Sequence, residues 1–244
     1  MAEHPHPIDG LAVLRLLTYN VNFGIAGDAD TMAAIHDASA DLVLLQETNV
    51  EWERALRREF AGEFPHMTFK HRGGAGGLAV LSRQAPVQIE FLPAAQGGGW
   101  FPAVRVVVDS RLGRVQVLGV HLRPAVSEGG SWVSGHFSTP SVRSAEIRSF
   151  CARLSPALPT VVAGDFNEEE DGDAARFLVE QGFRSALARY APDRFTWRWP
   201  TVVGELHKQL DHVFYDGKLD VLFAEVRTAG RSDHLPVVAV IAPR

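Results

Sequence analysis

Apolar runs of strand length recur along the chain, over residues 11–19, 41–46, 77–82, 102–108, 114–121, 159–164, 210–215, 219–226 and 236–242. They are rich in Val and Leu and bounded by Gly, Pro, Asn or Asp, the composition of strands buried in a sheet. Between them the spacing turns helical. A helix start is predicted at Asp30-Thr31-Met32-Ala33-Ala34-Ile35, capped by Asp28 or Asp30. From Glu51 to Phe60, Trp52, Leu56 and Phe60 share one face. From Ser141 to Leu154, one stripe holds Ile147, Phe150, Cys151 and Leu154, with Ser141 or Ser144 as the cap.

Residues 73–121 read as consecutive strands on short loops. That predicts antiparallel hairpins, because parallel neighbours need helical crossovers. No low-complexity linker divides the two halves of the chain. The pattern therefore predicts an α/β (α+β) fold of two mixed sheets packed together with helices outside. One domain spans residues 11–244, behind a flexible tail over 1–10. The Gly/Ser stretch over 127–138 is the longest without periodicity, and such a loop is more often functional or mobile than structural.

Composition adds exclusions. With 46% hydrophobic and 22% charged residues the chain is an ordinary globular one. No apolar run approaches the ~18 residues of a membrane span. The start, Met1-Ala2-Glu3-His4-Pro5-His6-Pro7, lacks the basic and apolar regions of a secretory leader. A lone Cys151 excludes an internal disulfide and suits a reducing compartment, so a cytoplasmic monomer without an obligate protein partner is expected. The net charge of −5 supplies no global field that draws in a polyanion. All but three of the 24 basic residues (Lys70, Lys208 and Lys218) are arginine, a bias read as GC-rich coding. Individual guanidinium groups still suit bidentate phosphate contact.

Chemistry-bearing residues gather where the apolar runs end. Leu17-Thr18-Tyr19-Asn20-Val21-Asn22 puts two amides on one side of an extended chain, and also fits a turn. In Leu44-Leu45-Gln46-Glu47-Thr48 a carboxylate follows a buried run, as a hard divalent cation requires; the same glutamate would also suit a helix start. His121 continues the run Val117-Leu118-Gly119-Val120, a position most often filled by a structural histidine. Gly164-Asp165-Phe166-Asn167 offers a carboxylate and an amide on one side, followed by Glu168-Glu169-Glu170-Asp171, read as a solvated acidic helix start. Leu210-Asp211-His212 and Ser232-Asp233-His234 supply an acid that can orient a histidine, making His234 a proton acceptor or phosphate partner.

Taken in order, Thr18-Tyr19-Asn20-Val21-Asn22, Leu45-Gln46-Glu47, Gly119-Val120-His121-Leu122, Gly164-Asp165-Phe166-Asn167, Leu210-Asp211-His212 and Ser232-Asp233-His234 resemble the endonuclease/exonuclease/phosphatase superfamily, in its deoxyribonuclease I-like form. The resemblance covers residues 12–242. It implies a four-layered α/β/β/α sandwich of mostly antiparallel sheets and a Mg²⁺- or Mn²⁺-dependent attack of water on a phosphoester. By position, Glu47 resembles the principal metal carboxylate, with Asn20, Asn22 and Asp233 around the cation. Asp165 would position or activate water, Asn167 would hold a phosphate oxygen, and His234, oriented by Asp211, would act as base or phosphate partner. His121 resembles the histidine that aids the leaving oxygen.

Departures from the family pattern narrow the substrate. His121-Leu122-Arg123-Pro124 stands where abasic-site enzymes carry Tyr, Pro, Asn and Gly, which argues against that activity. Trp100-Phe101-Pro102-Ala103 lacks the carboxylate that orients the acid histidine of deoxyribonuclease I. Lys208-Gln209 replaces an arginine before Asp211, and Asn22 stands where several relatives have Asp. Arg123, Arg143 and Arg148 are candidates for phosphate contact, the helix arginines reading equally well as solvated charges. Trp132, His136, Trp197 and Trp199 are candidates for base stacking. The leading expectation is a metal-dependent DNA nuclease of low sequence specificity, RNA also being a candidate substrate. The alternative is a phosphodiesterase or phosphatase on a small or lipid phosphoester, and a non-catalytic binding domain on the same fold is disfavoured.

Overall fold

The computed structural model describes residues 13–125, 139–202 and 204–244. The expected tail over 1–10, and Trp132 and His136, lie outside the described residues. In chain order the first strands are β1 (Leu14–Asn20), β2 (Leu42–Gln46), β3 (His66–Lys70), β4 (Leu78–Ser82) and β5 (Gln88–Leu92). There follow β6 (Ala103–Ser110), β7 (Gly113–His121), β8 (Thr160–Asp165) and the short β9 (Arg184–Ser185). The last are β10 (Trp197–Thr201), β11 (Gly204–Lys208), β12 (Asp211–Tyr215), β13 (Leu219–Val226) and β14 (Val237–Pro243). Helices are α1 (Ala29–Asp37), α2 (Val50–Phe60), α3 (Pro140–Cys151), α4 (Asp173–Glu180) and α5 (Ala186–Tyr190).

Two six-stranded sheets result, in the orders β13-β14-β1-β2-β4-β3 and β5-β6-β7-β8-β12-β9. Only β1–β2 and β7–β8 are parallel, and a helix, α1 or α3, lies between the two strands of each pair in sequence. The remaining pairs are antiparallel. The first sheet carries α1 and α2 on its outer face, over a core that includes Trp52, Leu56, Ile35 and Val43. The second carries α3 and α4 over Ile147, Phe150, Phe166 and Leu178. Between the sheets lies a third core, including Leu16, Leu42, Leu44, Val117, Val161 and Val213. These cores define the four-layered sandwich. No helix of the described residues is long and apolar enough to cross a membrane.

Local sequence accounts for most helix ends. Asp28 accepts from the Thr31 amide at 2.9 Å and Asn49 from the Trp52 amide at 2.8 Å, so each caps its helix. Neither Ser141 nor Ser144 caps α3. Pro140, with its fixed φ and missing N–H, takes the first helical position after Thr139. The apolar runs located their strands within a few residues. β3, β5 and the β10–β11 hairpin were not anticipated, because these strands are half-exposed or exposed and carry no continuous apolar run. Residues 73–121 do contain the hairpins β5–β6 and β6–β7. β4 belongs to the other sheet, so the turn after it passes between sheets instead of closing a hairpin.

Side-chain alternation gives the fold its function-bearing end. Leu14 and Leu16 of β1 point into the inter-sheet core, as do Leu42 and Leu44 of β2, Val115 and Val117 of β7, Val161 and Ala163 of β8, and Val213 and Tyr215 of β12. A period of two carries the same facing to Asn20, Gln46, His121, Asp165 and Asp211. His212 falls on the opposite face, edge-on to Phe166. Close strand approach just before Asp165 requires glycine. Gly164 has φ 146°, and a Cβ there would lie 2.0 Å from the Val120 carbonyl oxygen. Gly164→Ala is expected to lower unfolding stability by more than about 3 kcal/mol, measured by urea titration. Gly182→Ala, which meets open space at φ 86°, is the control and should lose about 1 kcal/mol.

Candidate active site

Asp165 is the centre of the constellation. His121 and Asp211 are its direct neighbours on β7 and β12, so the three occupy one row across the second sheet. From the first sheet, Asn20 Nδ2 donates to Asp165 Oδ2 at 3.1 Å and to Glu47 Oε1 at 3.1 Å. The Asn167 amide donates to Asp165 Oδ1 at 2.8 Å. His121 Nε2 and His234 Nε2 stand 3.5 Å and 3.6 Å from Asp165 Oδ2. Burial raises the Asp165 pKa, the His234 charge acts against that rise, the Asp211 carboxylate adds to it, and the Asn167 amide lowers it.

Three of the four non-glycine residues with positive φ among the described residues belong to this rim: Asn22 (59°), Glu47 (60°) and Asn167 (52°). Each lies one or two residues beyond a strand end, where a left-handed residue turns the side chain back over the sheet edge. Such conformations persist only where the surroundings enforce them. Asn22 Oδ1 accepts from the Gly24 amide at 2.9 Å while its Nδ2 donates to Asp233 Oδ1 at 3.1 Å, so the turn and the site use one side chain. Glu47 sits ahead of α2, which begins at Val50, and is not its cap.

His234 donates from Nδ1 to Asp211 Oδ2 at 2.8 Å, which leaves Nε2 facing Asp165. Thr196 Oγ1 fixes the acid by accepting from the Leu210 and Asp211 amides at 2.8 Å and 2.9 Å. Trp197 Nε1 donates to Asp233 Oδ2 at 3.3 Å. Desolvation favours neutral imidazole at His234, but Asp211 and Asp165 outweigh it and push the pKa up to about 10. The two carboxylates therefore favour the cationic ring. His121 goes the other way. Buried and stacked on Phe101 at 4.2 Å, it is pushed down to about 4 by desolvation and stays neutral. Phe101, from the stretch Trp100-Phe101-Pro102-Ala103, thus supports one face of the ring while Asp165 stands 3.5 Å from its Nε2.

The arginines take a different place from the one the sequence suggested. Arg123 and Arg143 are buried. Arg143 Nε donates to Glu168 Oε2 at 2.8 Å and Nη1 to Thr139 Oγ1 at 2.7 Å, so the reading of a solvated helix arginine is wrong for it. Arg148 is exposed, over the Phe177 ring at 4.2 Å. The Arg123 guanidinium lies 3.8 Å over the Trp100 ring and donates to the Gly98 carbonyl, while its amide donates to Glu146 Oε2 at 2.8 Å. Glu168 is buried as well and accepts from the Ala174 and Ala175 amides at 2.6 Å and 2.9 Å. It caps α4 and is no solvated acid, because its fixed charge complements both the helix start and Arg143. Glu146, Arg123, Arg143 and Glu168 together form a buried layer beneath the His121 and Asn167 turns. Glu146, Phe101 and Thr196 were missed in the sequence. A signal existed for Glu146: with Arg143 it shares the stripe of Ile147 and Phe150.

One ligand atom from each of Asp165, Asp211 and His234 lies within 4.8 Å of the others. Asp211 and His234 are already hydrogen-bonded to each other, so this group handles protons better than it ligates a cation. The oxygen-rich neighbourhood of Glu47, Asn20, Asn22 and Asp233 fits a hard divalent cation. Glu47 is desolvated, which raises its pKa against the Asn20 hydrogen bond and the His234 charge, and no lysine or arginine pairs with it among the described residues. A half-buried carboxylate without a cationic side-chain partner at hydrogen-bond range fits the role of holding one.

The chain matches the model of the Endonuclease/Exonuclease/phosphatase family over residues 17–234. No curated protein sequence matches it. Among solved structures, an endonuclease/exonuclease/phosphatase from Beutenbergia cavernae is 20% identical, with TM-score 0.72 over 95% of this chain and 72% of that one. The human Nocturnin catalytic domain with bound sulfate is 18% identical, with TM-score 0.71 over 95% of each chain. Zebrafish (D. rerio) TDP2 complexed with a single-strand DNA product is 14% identical, with TM-score 0.69 over 94% of this chain and 98% of that one.

Desolvation raises the Glu146 pKa to about 7. Its folded pKa exceeds the unfolded value, so the stability it contributes is present below about pH 4.5 and is lost as pH rises through 7. Glu146→Gln removes that loss. The melting temperature of the variant relative to the parent should therefore climb between pH 4.5 and pH 8, read by calorimetry; a pH-independent difference would contradict the assignment.

Proposed function

The chain belongs to the endonuclease/exonuclease/phosphatase family, whose members are phosphoesterases, and on that premise we propose that it is a divalent-metal-dependent phosphodiester hydrolase acting on exposed or single-stranded DNA. The observation that carries the reaction is the placement of Asp165 between Asn20, His121 and His234, beside a Glu47 without a cationic partner. Mg²⁺ or Mn²⁺ held by Glu47, with Asn20, Asn22 and Asp233 around it, would supply positive charge that lowers the repulsion between an anionic phosphate and an incoming nucleophile.

The residues divide the remaining work. Asp165 accepts a hydrogen bond from the attacking water, and desolvation makes it a stronger base than an exposed aspartate. His234, kept cationic by Asp211 and Asp165, donates from Nε2 to a phosphate oxygen, a role that needs no deprotonated imidazole. Asn167 spends one Nδ2 hydrogen on the Leu122 carbonyl at 3.0 Å and keeps the other for the phosphate. Neutral His121 stands by the leaving oxygen. Arg123 and Arg143 hold the rim rather than the substrate.

DNA is favoured by the half-exposed Trp199, stacked on the Trp197 that bonds Asp233, and by the single-strand DNA product in the TDP2 structure. A small phosphoester is the second reading. It is favoured by the net charge of −5 and by the acids Glu169, Asp171 and Asp173 beside Asn167. A lone Cys151 suits the cytoplasm as the site of action.

Hydrolysis of a labelled single-stranded oligonucleotide should require Mg²⁺ or Mn²⁺ and stop with EDTA. Glu47→Ala and His234→Ala should each slow it about a hundredfold, the rate equivalent of roughly 3 kcal/mol of lost electrostatic stabilisation, with circular dichroism unchanged. Equal rates in both folded variants would remove the mechanism. Intact DNA alongside metal-dependent release from small phosphoesters would select the second reading.

A further inference from the structure

The β10–β11 hairpin stands outside both main sheets as a separate two-stranded unit. A lone hairpin is marginal in water, and this one is fastened at its base. Thr196 holds the Asp211 amide, Arg198 donates its amide to the Asp233 carbonyl at 2.9 Å, and Phe195 stacks on His207 at 3.9 Å. Further out, Trp199 and Leu206 are cross-strand partners on one face, 49% and 55% exposed, with Trp197 stacked nearly parallel to Trp199 behind them. Adjacent apolar side chains left in water beside a catalytic rim mark a binding surface.

Trp197 and Leu206 of that face line a groove of about 690 Å³ that also includes Asn167, and Trp199 stands next to them. Lys208 joins them from the hairpin, and Asp171 and Asp173 come from the loop and helix start after Asn167. Lys208 is paired with Glu169 at 3.3 Å, Arg143 with Glu168 at 2.8 Å and Asp173 with Arg176. Asp171 is the lining acid left without an ion pair among the described residues, and with four acids against Arg143 and Lys208 the lining keeps a net negative charge over an apolar floor. A continuing sugar-phosphate strand would bring its next phosphates against that charge. A flat or apolar group without a phosphate of its own would bury Trp199 and Leu206 at no such electrostatic cost.

We propose that this groove seats the organic group esterified to the scissile phosphate, and that the group is apolar or planar and carries no further phosphate. The inference rests on the phosphodiester hydrolase reading and deepens it: the substrate is a strand end or a small diester, and a strand interior is excluded. The hairpin then has two duties, since it anchors Asp211 and Asp233 at its base and selects the substrate with its outer face.

The test uses the full chain with Mg²⁺ and three probes: the p-nitrophenyl ester of thymidine 5′-phosphate, a linear single-stranded oligonucleotide, and the same sequence circularised. The circle should be cleaved at least tenfold more slowly than the linear strand. Trp199→Ala and Leu206→Ala should each raise KM for the small ester about fivefold with kcat within twofold. The Asp171→Lys/Asp173→Lys variant should narrow the gap between circle and linear strand. Saturable binding of thymidine 5′-phosphate, read by tryptophan fluorescence, should weaken in Leu206→Ala. Equal cleavage of circle and linear strand, an unchanged KM in both apolar variants, or no saturable binding would overturn the proposal. Binding that weakens as expected without metal-dependent hydrolysis of any probe would instead sink the catalytic reading and leave the groove standing.

Discussion

A carboxylate buried at the end of an inter-sheet core is the constraint on which the rest of the site depends. Asp165 would be expelled or neutralised there if its neighbours did not meet its oxygens, because a desolvated charge without partners is among the costliest things a protein can contain. Its partners come from both sheets: the Asn20 amide from one, the Asn167 amide and His121 from the other, and His234 from the turn before β14. The two sheets are therefore tied at one end by the groups that carry the chemistry. The opposite pKa directions of two histidines equally buried follow from the same arrangement. His234 has a second carboxylate, Asp211, within hydrogen-bond reach, whereas His121 has an apolar ring, Phe101.

A second layer lies one step further from solvent. Glu146, Arg123, Arg143 and Glu168 lie together there, and between them they hold the turn after β7, the turn after β8 and the start of α4. Phosphate-binding arginines would have to be free to turn outward. These two are committed to carboxylates, carbonyls and an aromatic face. The left-handed residues Asn22, Glu47 and Asn167 depend on such backing, since a non-glycine residue keeps a positive φ only where surrounding bonds overrule its preference.

Much of this was legible in the chain. Apolar runs located the central strands, because strands covered on both faces carry apolar residues without interruption. Half-exposed β3, β5 and the hairpin strands β10 and β11 left no such trace. Acid and amide pairs at strand ends marked the rims, and their order matched the family. Glu168 was misjudged because an acidic run looks alike whether its first member faces water or a buried arginine. Arg143 was misjudged for the complementary reason.

By itself the sequence determined which residues alternate, where strands end, and which polar groups wait at those ends. Its period of two is a local property, enforced by backbone sterics at every residue. The tertiary structure alone decided which ends meet. Asn20 and Asp165 are 145 residues apart and touch only because two sheets stack with the same end forward. Charge and burial followed from that meeting, since a pKa or the worth of an ion pair depends on what surrounds a group in space.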